Sequence, residues 1–370
     1  MESKGNPGKR TFLFAGGGTG GHLLPGLVLA EALARRAGWE PLFVTGRRPV
    51  EDRVLAGIPW ERIGLDLEGG ALRALVRMPS ASFRVRREFL RRPPAGVLVL
   101  GGRIGIPAAF LARALGRPLF LLEVNALPGK TTRFLAPLAR RIFLGYPEAA
   151  RFFRPGRSKV TGIPVRNGFF HLPPKEEAAR DLGLPAGPGP VLLIMGGSMG
   201  ARSLNETLPA LLGRVRGDLP RGTRVIHVAG GERVESLREA WRRAGVPVKV
   251  FPFLRAMDLA FAAADLAVCR GGALTMGEAA AARLPALVIP YPWHRDRHQE
   301  ANALPLVRAG GARILPQERL PAEGGRRIAS LLGDPARLRA MREAMGRLSL
   351  AARPGILAEE LLLEAGRPGR

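Results

Sequence analysis

The chain has 370 residues, with 57 Lys and Arg against 31 Asp and Glu and a formal charge of +26. That length exceeds what one compact core usually holds, so two domains are expected. The single cysteine, Cys269, excludes an intramolecular disulfide framework and a multi-cysteine metal site, and the lack of any uninterrupted apolar run of about 18 residues excludes a membrane-spanning helix.

The charge favours a polyanionic partner, either nucleic acid or an anionic lipid surface. The excess of Arg over Lys, alongside much Ala, Gly, Leu and Pro, also fits genomic composition or adaptation to heat. The opening MESKGNPGKR is polar and basic and does not read as a secretory signal. A cytosolic protein is expected, with attachment to a membrane face left open.

In chain order, Thr11–Ala15 reads as a strand, Gly16–Gly21 as a loop and Leu23–Arg36 as a helix. Pro41–Thr45 and Val97–Leu100 read as strands, the second followed by Gly101-Gly102. Ile106–Leu115 reads as a helix, Pro118–Glu123 as a strand and Thr131–Ala139 as a helix broken at Pro137. Ile142–Leu144 and Lys159–Val160 are further strand candidates. After a stretch rich in Pro and charge (Pro173–Pro190) the series restarts. It runs through strand Val191–Met195, loop Gly196–Gly200 and helix Ala201–Val215, then strands Arg224–Val228, Val248–Val250, Leu266–Cys269 and Ala286–Ile289. Residues 325–370 read as helical. Strands alternating with helices predict parallel sheets. The fold class is therefore α/β, with two doubly wound domains, a hinge near Gly162–Gly168, and ligands expected in a cleft at the carboxyl ends of the strands.

Three glycine-rich loops carry the chemistry. The first, Gly16–His22, contains G-x-G-x-x-G after a strand, which suggests a dinucleotide site. Such a site wants an acidic residue at the end of the second strand to hold ribose. Gly46, Arg47 and Arg48 stand there instead, which disfavours NAD and leaves NADP. His22 opens the following helix. The positive end of a helix disfavours imidazolium, and a neutral imidazole can act as a general base on a hydroxyl. The plain alternative is that His22 only caps or packs. The small residues directly before it favour the catalytic reading, because they let a substrate approach.

The second loop, Gly196–Arg202, offers the Ser198 hydroxyl beside exposed amides, with Ser203 and Glu206 at capping-box spacing. The third, Gly271–Glu278, precedes a helix expected to start near Thr275. Its amides suit a diphosphate, with Glu278 accepting from ribose hydroxyls. Thr275 and Glu278 also have capping-box spacing, so a purely structural role is the alternative. Downstream, Tyr291–Asn302 reads as a polar loop containing His294, Asp296, His298, Gln299 and Asn302. Arg295 and Arg297 would repel a cation, and amides suit a sugar, so sugar recognition is expected over a metal. Cys269, within an apolar strand, reads as a small buried hydrophobe.

Four segments together resemble the MurG family of UDP-N-acetylglucosamine transferases: GGGTGGHLLPGLVLAEAL, LEVNALPGKTTRFLA, GGSMGARSLNETLP and CRGGALTMGEAAAARLPALVIPYP followed by DRHQEANALPL. The resemblance spans nearly the whole chain in order. It implies a GT-B fold of two Rossmann-like domains facing a cleft: an acceptor- and membrane-side domain over 10–165, a UDP-GlcNAc domain over 166–345, and a C-terminal helix over 346–370 returning to the first domain. It implies inverting transfer of GlcNAc to the C4 hydroxyl of MurNAc in lipid I, giving lipid II, with no cofactor and no metal. By position it places Thr19, Gly20 and Gly21 on the acceptor side with His22 as base. Asn125 and Arg166 would touch the donor, Ser198 the diphosphate and Leu254 the uracil. Ala273, Leu274, Thr275, Met276, Gly277 and Glu278 would hold diphosphate and ribose, and Gln299 the GlcNAc hydroxyls. The chain departs from the family at Leu122, Val124, Ile163, Met199, Arg103 and His298.

The acceptor implied is lipid-linked, and residues 71–92 mix Leu, Val, Met and Phe with arginines. That composition suits an anionic membrane surface, so a peripheral enzyme on the cytoplasmic face is expected, with other proteins of cell-wall synthesis as further partners. The alternative is a solvated, Arg-rich helix face. Rival readings are another GT-B enzyme such as a UDP-GlcNAc 2-epimerase, an NADP oxidoreductase, and a nucleic-acid binder. The scarcity of aromatics counts against the last, so no nucleic-acid partner is expected.

Overall fold

A computed structural model describes residues 9–18, 20–67, 69–197, 200–231, 234–293 and 296–366. The chain forms two units, residues 1–165 with 352–370 and residues 166–351.

The first unit contains β1 (Arg10–Gly16), α1 (Gly20–Ala34), β2 (Trp39–Thr45), α2 (Pro49–Val54), β3 (Arg62–Gly64) and α3 (Ala71–Arg91). It continues with β4 (Gly96–Gly101), α4 (Gly105–Ala114), β5 (Leu119–Glu123), α5 (Lys130–Leu135), β6 (Arg141–Leu144), β7 (Ser158–Val160) and β8 (Ile163–Pro164). Seven parallel strands lie in the order β3-β2-β1-β4-β5-β6-β7. Helices cover both faces of such a sheet, so its strands are apolar along their whole length rather than alternating. β4, Gly-Val-Leu-Val-Leu-Gly, is buried at every position.

The second unit contains α6 (Lys175–Asp181), β9 (Val191–Met195), α7 (Arg202–Arg214), β10 (Arg224–Val228), α8 (Val234–Ala244), β11 (Val248–Phe251) and α9 (Met257–Ala263). It continues with β12 (Leu266–Cys269), α10 (Ala273–Ala281), β13 (Ala286–Val288), α11 (His298–Ala309), β14 (Ala312–Ile314), α12 (Leu320–Leu332) and α13 (Pro335–Gly346). Its six parallel strands run β11-β10-β9-β12-β13-β14. Cys269 in β12 is fully buried, and burial pushes its thiol up to about 12, consistent with a packing role.

The chain then forms β15 (Ala351–Ala352), which pairs with β8, and α14 (Pro354–Gly366). α14 packs on α1 through buried Leu357, Ala358 and Leu361. Glu359 pairs with Arg36, Glu364 with Arg141 at 3.1 Å, and Glu360 with Lys159 at 2.7 Å.

Counted from each unit's first strand, both sheets follow the order 3-2-1-4-5-6, with a seventh strand added after the sixth in the first unit. In that order the winding reverses between the first and fourth strands, and a crevice opens at their carboxyl ends. The first unit reverses between β1 and β4, which run into Gly16–Gly18 and Gly101-Gly102. The second reverses between β9 and β12, which run into Gly196-Gly197 and Gly271-Gly272.

β10 carries His227, fully buried against Trp241 of α8. Burial lowers the imidazole to about 3, so the ring is neutral. Trp241 Nε1 donates to His227 Nδ1 at 3.0 Å, which leaves the proton on Nε2 to donate to Asn205 Oδ1 at 3.0 Å. Asn205 Nδ2 in turn donates to the Ala229 carbonyl at 3.0 Å. Trp241→Phe strands the ring nitrogen in the core and is expected to cost about 1–3 kcal/mol. A lowered urea midpoint for the second unit checks this; an unchanged midpoint would show that the imidazole does not need its donor.

Candidate functional site

In the first unit, Gly16 and Gly101 are direct register partners at the ends of β1 and β4. The helix after the first glycine run starts earlier than the sequence suggested. Gly20 and Gly21, read as the end of a loop, already belong to the first turn of α1 together with His22. Thr19 lies outside the described residues. Half-buried His22 stands over the β4 turn: a Cβ at Gly101, whose φ is +111°, would sit 2.9 Å from His22 Nδ1. Only glycine fits there, both for the backbone angle and for the close approach of the ring.

At the end of β5, Glu123 is 3 % exposed. One oxygen accepts from Asn125 N and Asn125 Nδ2, each at 3.0 Å, and the other from Gly129 N at 2.9 Å. A buried carboxylate is tolerated because backbone amides satisfy it. It fixes Asn125 and the entry to α5.

In the second unit, Met195 and Cys269 are register partners, so the turns after β9 and β12 lie side by side. Ser198 falls outside the described residues. α10 begins at Ala273 with Gly272 as N-cap and no side-chain cap. Thr275 therefore stands within the first turn and Glu278 in the second, and the capping box that their spacing allowed does not form. The Ser203–Glu206 box is absent as well. α7 is preceded by Ala201 without a side-chain cap, Ser203 Oγ donates to Gln317 Oε1 at 2.9 Å, and Glu206 accepts from Arg202 at 2.7 Å.

Ala273, Met276, Gly277 and Glu278 are buried, and Leu274 and Thr275 half-buried. Burial raises the Glu278 carboxyl to about 7; Arg166 opposes the rise and Asp258 adds to it. Arg166 Nη1 donates to the Arg255 carbonyl at 2.7 Å, and its guanidinium lies 5.2 Å from the Phe169 ring centroid. Half-buried Leu254 is the neighbour of Arg255 in the turn from β11 to α9. Arg166, the 254–255 turn and Glu278 thus come together.

The segment read as a polar loop over Tyr291–Asn302 becomes helical at His298, after Arg297 in the left-handed region at φ 47°. Gln299 Oε1 accepts from Tyr291 N at 2.9 Å, and fully buried Asn302 donates to the Gly271 carbonyl at 3.1 Å. A Cβ at Gly271 would lie 2.1 Å from the Gln299 carbonyl oxygen, so α11 presses directly on the β12 turn. His298 Nδ1 and Asp296 are 2.9 Å apart, and His294 lies outside the described residues. No group of three or more metal-ligating side chains occurs among the described residues.

Two residues passed unread as site elements in the sequence. Arg270, 7 % exposed, directly follows β12 and donates to the Ile289 and Pro290 carbonyls, Ser203 Oγ and Gln317 Oε1 at 2.6–3.1 Å. Its signal was an arginine closing an otherwise apolar strand. Glu51 is fully buried beneath the first glycine turn, and its signal was Pro49 followed by an acidic residue two positions on, the start of a short helix.

Two Rossmann-like sheets in one chain, each with glycine turns leading to helices at its reversal point, define a GT-B fold. The N-terminal domain of glycosyltransferase family 28 matches residues 12–144 and its C-terminal domain residues 191–352. The UDP-N-acetylglucosamine--N-acetylmuramyl-(pentapeptide) pyrophosphoryl-undecaprenol N-acetylglucosamine transferase of Halorhodospira halophila is 41 % identical over 346 residues, 90 % of this chain and 93 % of that one. The crystal structure of Acinetobacter baumannii MurG aligns with a TM-score of 0.76 at 26 % identity, over 96 % of this chain and 99 % of that one. A UDP-GlcNAc 2-epimerase from Neisseria meningitidis, bound to UDP-GlcNAc, has a TM-score of 0.66 at 14 % identity, over 96 % and 99 % of the two chains, a likeness of fold alone. The chain belongs to the MurG family of glycosyltransferases.

The raised carboxyl of Glu278 gives stability a sign. Its folded value near 7 exceeds the ordinary 4.5, so the native state holds the proton more tightly. The stabilising contribution is fully present below pH 4.5 and is lost as pH rises through 7, a swing of roughly 3 kcal/mol. Glu278→Gln should therefore stabilise the ligand-free protein at pH 8 and change it little at pH 4.5. Urea unfolding at both values measures this; equal effects at the two would show that the buried charge carries no cost.

Proposed function

We infer that this enzyme transfers GlcNAc from UDP-GlcNAc to the C4 hydroxyl of MurNAc in undecaprenyl-pyrophosphoryl-MurNAc-pentapeptide, converting lipid I to lipid II for peptidoglycan synthesis. The single observation that carries the chemistry is the turn after β12, where α10 starts from Gly272 with no side-chain cap on its first amides. The amides and positive end of this helix suit a diphosphate.

The donor is held by the second unit. The diphosphate lies at the start of α10, against Ala273–Gly277 and Ser198, with Arg166 adding positive charge. Glu278 accepts from ribose, the Leu254 backbone meets uracil, Gln299 takes GlcNAc hydroxyls, and Asn125 is a further candidate donor contact by its match to the family. Thr19, Gly20 and Gly21 line the acceptor side. In the reaction the acceptor C4 oxygen attacks the anomeric carbon while the bond from that carbon to the β-phosphate oxygen breaks on the opposite face. The configuration inverts, the hydroxyl proton passes to His22, and UDP departs with the electron pair. The α10 amides stabilise the charge that develops on the leaving diphosphate. His22→Ala should lower kcat roughly 100-fold or more with the donor KM nearly unchanged. Calorimetry should show UDP-GlcNAc binding to both proteins. Near-normal turnover would remove His22 as base, and absent donor binding in the unaltered enzyme would remove the reading as a whole.

The acceptor's lipid anchor calls for a membrane-facing surface, and α3 supports one. Its inner face buries Ala74, Ala81, Val85 and Phe89. Its outer face exposes Leu72, Leu75, Val76, Phe83 and Leu90 to between 58 and 75 %. Arg73, Arg84, Arg86, Arg87 and Arg91 flank these side chains and are also exposed. Five large apolar side chains exposed on one face favour a contact surface over a merely solvated helix. The pairing of apolar contacts with cations suits anionic lipid headgroups, and no helix among the described residues is long and apolar enough to span a bilayer. The enzyme is peripheral, on the cytoplasmic face of the membrane, where other proteins of cell-wall synthesis are candidate partners. Replacing Leu75 and Phe83 together by Glu should weaken binding to phosphatidylglycerol vesicles at least 10-fold while UDP-GlcNAc binding is kept. Unchanged vesicle binding would place the membrane surface elsewhere.

A further inference from the structure

The first glycine turn looks like a phosphate cradle, yet one of its amides is already taken. Gly18 N donates to Glu51 Oε1 at 2.6 Å. Glu51 Oε2 accepts from Arg48 N at 3.2 Å, closing the start of α2. The Arg48 side chain returns to the same turn, donating from Nη1 to the Gly18 carbonyl at 3.0 Å. Gly18 is thereby held at both its N–H and its C=O by residues of one short segment.

The carboxylate is wedged in place. Glu51 is fully buried. A Cβ at Gly17 would lie 2.4 Å from Oε1, and one at Gly46 2.5 Å from Oε2. The glycines ending β1 and β2 therefore leave a slot for two oxygens and nothing larger. Arg62 approaches Oε2 at 3.9 Å while donating to the Gly46 carbonyl at 2.6 Å. In a dinucleotide-binding sheet the amides of this turn face the pyrophosphate. Here an anion from the protein's own chain holds one of them, and a second anion beside it would meet like charge in a desolvated place.

The held turn touches the catalytic side directly. A Cβ at Gly102 would lie 2.6 Å from the Gly17 carbonyl oxygen, and its neighbour Gly101 lies against the His22 ring. Glu51, the 16–18 turn, the 101–102 turn and the imidazole form one continuous stack.

We propose that Glu51 is a positioning residue that acts as an internal anion, occupying the Gly18 amide of the first glycine turn and setting, through Gly17 and Gly102, where the His22 ring stands. The proposal rests on the reading of His22 as the base that serves the acceptor. It also explains why a G-x-G-x-x-G turn in this unit need not take a nucleotide phosphate.

The test uses the full chain with Glu51→Gln and Glu51→Ala. The Gln variant keeps the volume and loses one N–H contact. Its kcat should fall about 10- to 100-fold, while its donor KM and the calorimetric heat of UDP-GlcNAc binding stay at the unaltered values. The Ala variant should be slower still, and formate should restore its turnover saturably, whereas chloride at the same ionic strength should not. If Glu51→Ala is insoluble, the Gln variant decides alone. Normal kcat in Glu51→Gln, a donor KM that rises in step with the loss of kcat, or a soluble Ala variant that ignores formate would each overturn the proposal. Failure of the unaltered enzyme to transfer GlcNAc would instead overturn the reading of function.

Discussion

Two hydrogen-bonded strand pairs set the chemistry of this protein: β1 beside β4, and β9 beside β12. In each pair two parallel strands end together, Gly16 opposite Gly101 and Met195 opposite Cys269. The crossovers that leave them run in opposite directions along the sheet, so the turns part and expose backbone. Glycines follow both strands of each pair, so the exposed backbone carries no side chain to cover it. Helix positive ends then stand at these turns. Had the strand order been sequential, the four glycine turns would have been spread along the sheet edge.

The buried charges show how that arrangement is kept. Glu51 and Glu123 are each held by backbone N–H groups at or beside a turn, so burial does not leave them unsatisfied. Arg270 fixes the end of β12 by donating to the carbonyls of Ile289 and Pro290. Glu278 differs. Burial outweighs the attraction of Arg166, and the carboxyl titrates near neutrality. A group balanced in this way can respond to a bound ligand, whereas Glu51 and Glu123 are committed to the frame.

α3 separates two uses of apolar surface. Ala74, Ala81, Val85 and Phe89 pack into the first unit's core, and the outer side chains from Leu72 to Leu90 do not. Sequence composition alone could not divide these residues between the two faces. A helix whose apolar residues are interleaved with arginines reads the same whichever of its sides is covered. Only the position of the sheet decides which side is which.

The sequence by itself determined the longer strands, because a parallel sheet covered on both faces demands continuous apolar runs, and β1, β4, β9 and β12 are such runs leading into glycine turns; β3, β8, β14 and β15, two or three residues each, gave no such run. It also determined the chain's family, through four segments whose order and spacing match. It left three short helices unread: α2 and α8 lie among charges, and α9, apolar except at Asp258, is too short to show a helical period. It also allowed capping boxes at Ser203 with Glu206 and at Thr275 with Glu278 that do not form, since capping-box spacing says nothing about where a helix begins. Tertiary structure decided that Gly272 caps α10, that Glu278 is buried beside Arg166, and that Glu51 reaches the turn after β1. Those outcomes depend on which strands become neighbours and which backbone groups are left to satisfy, and residues more than thirty positions apart meet only when the sheet has formed.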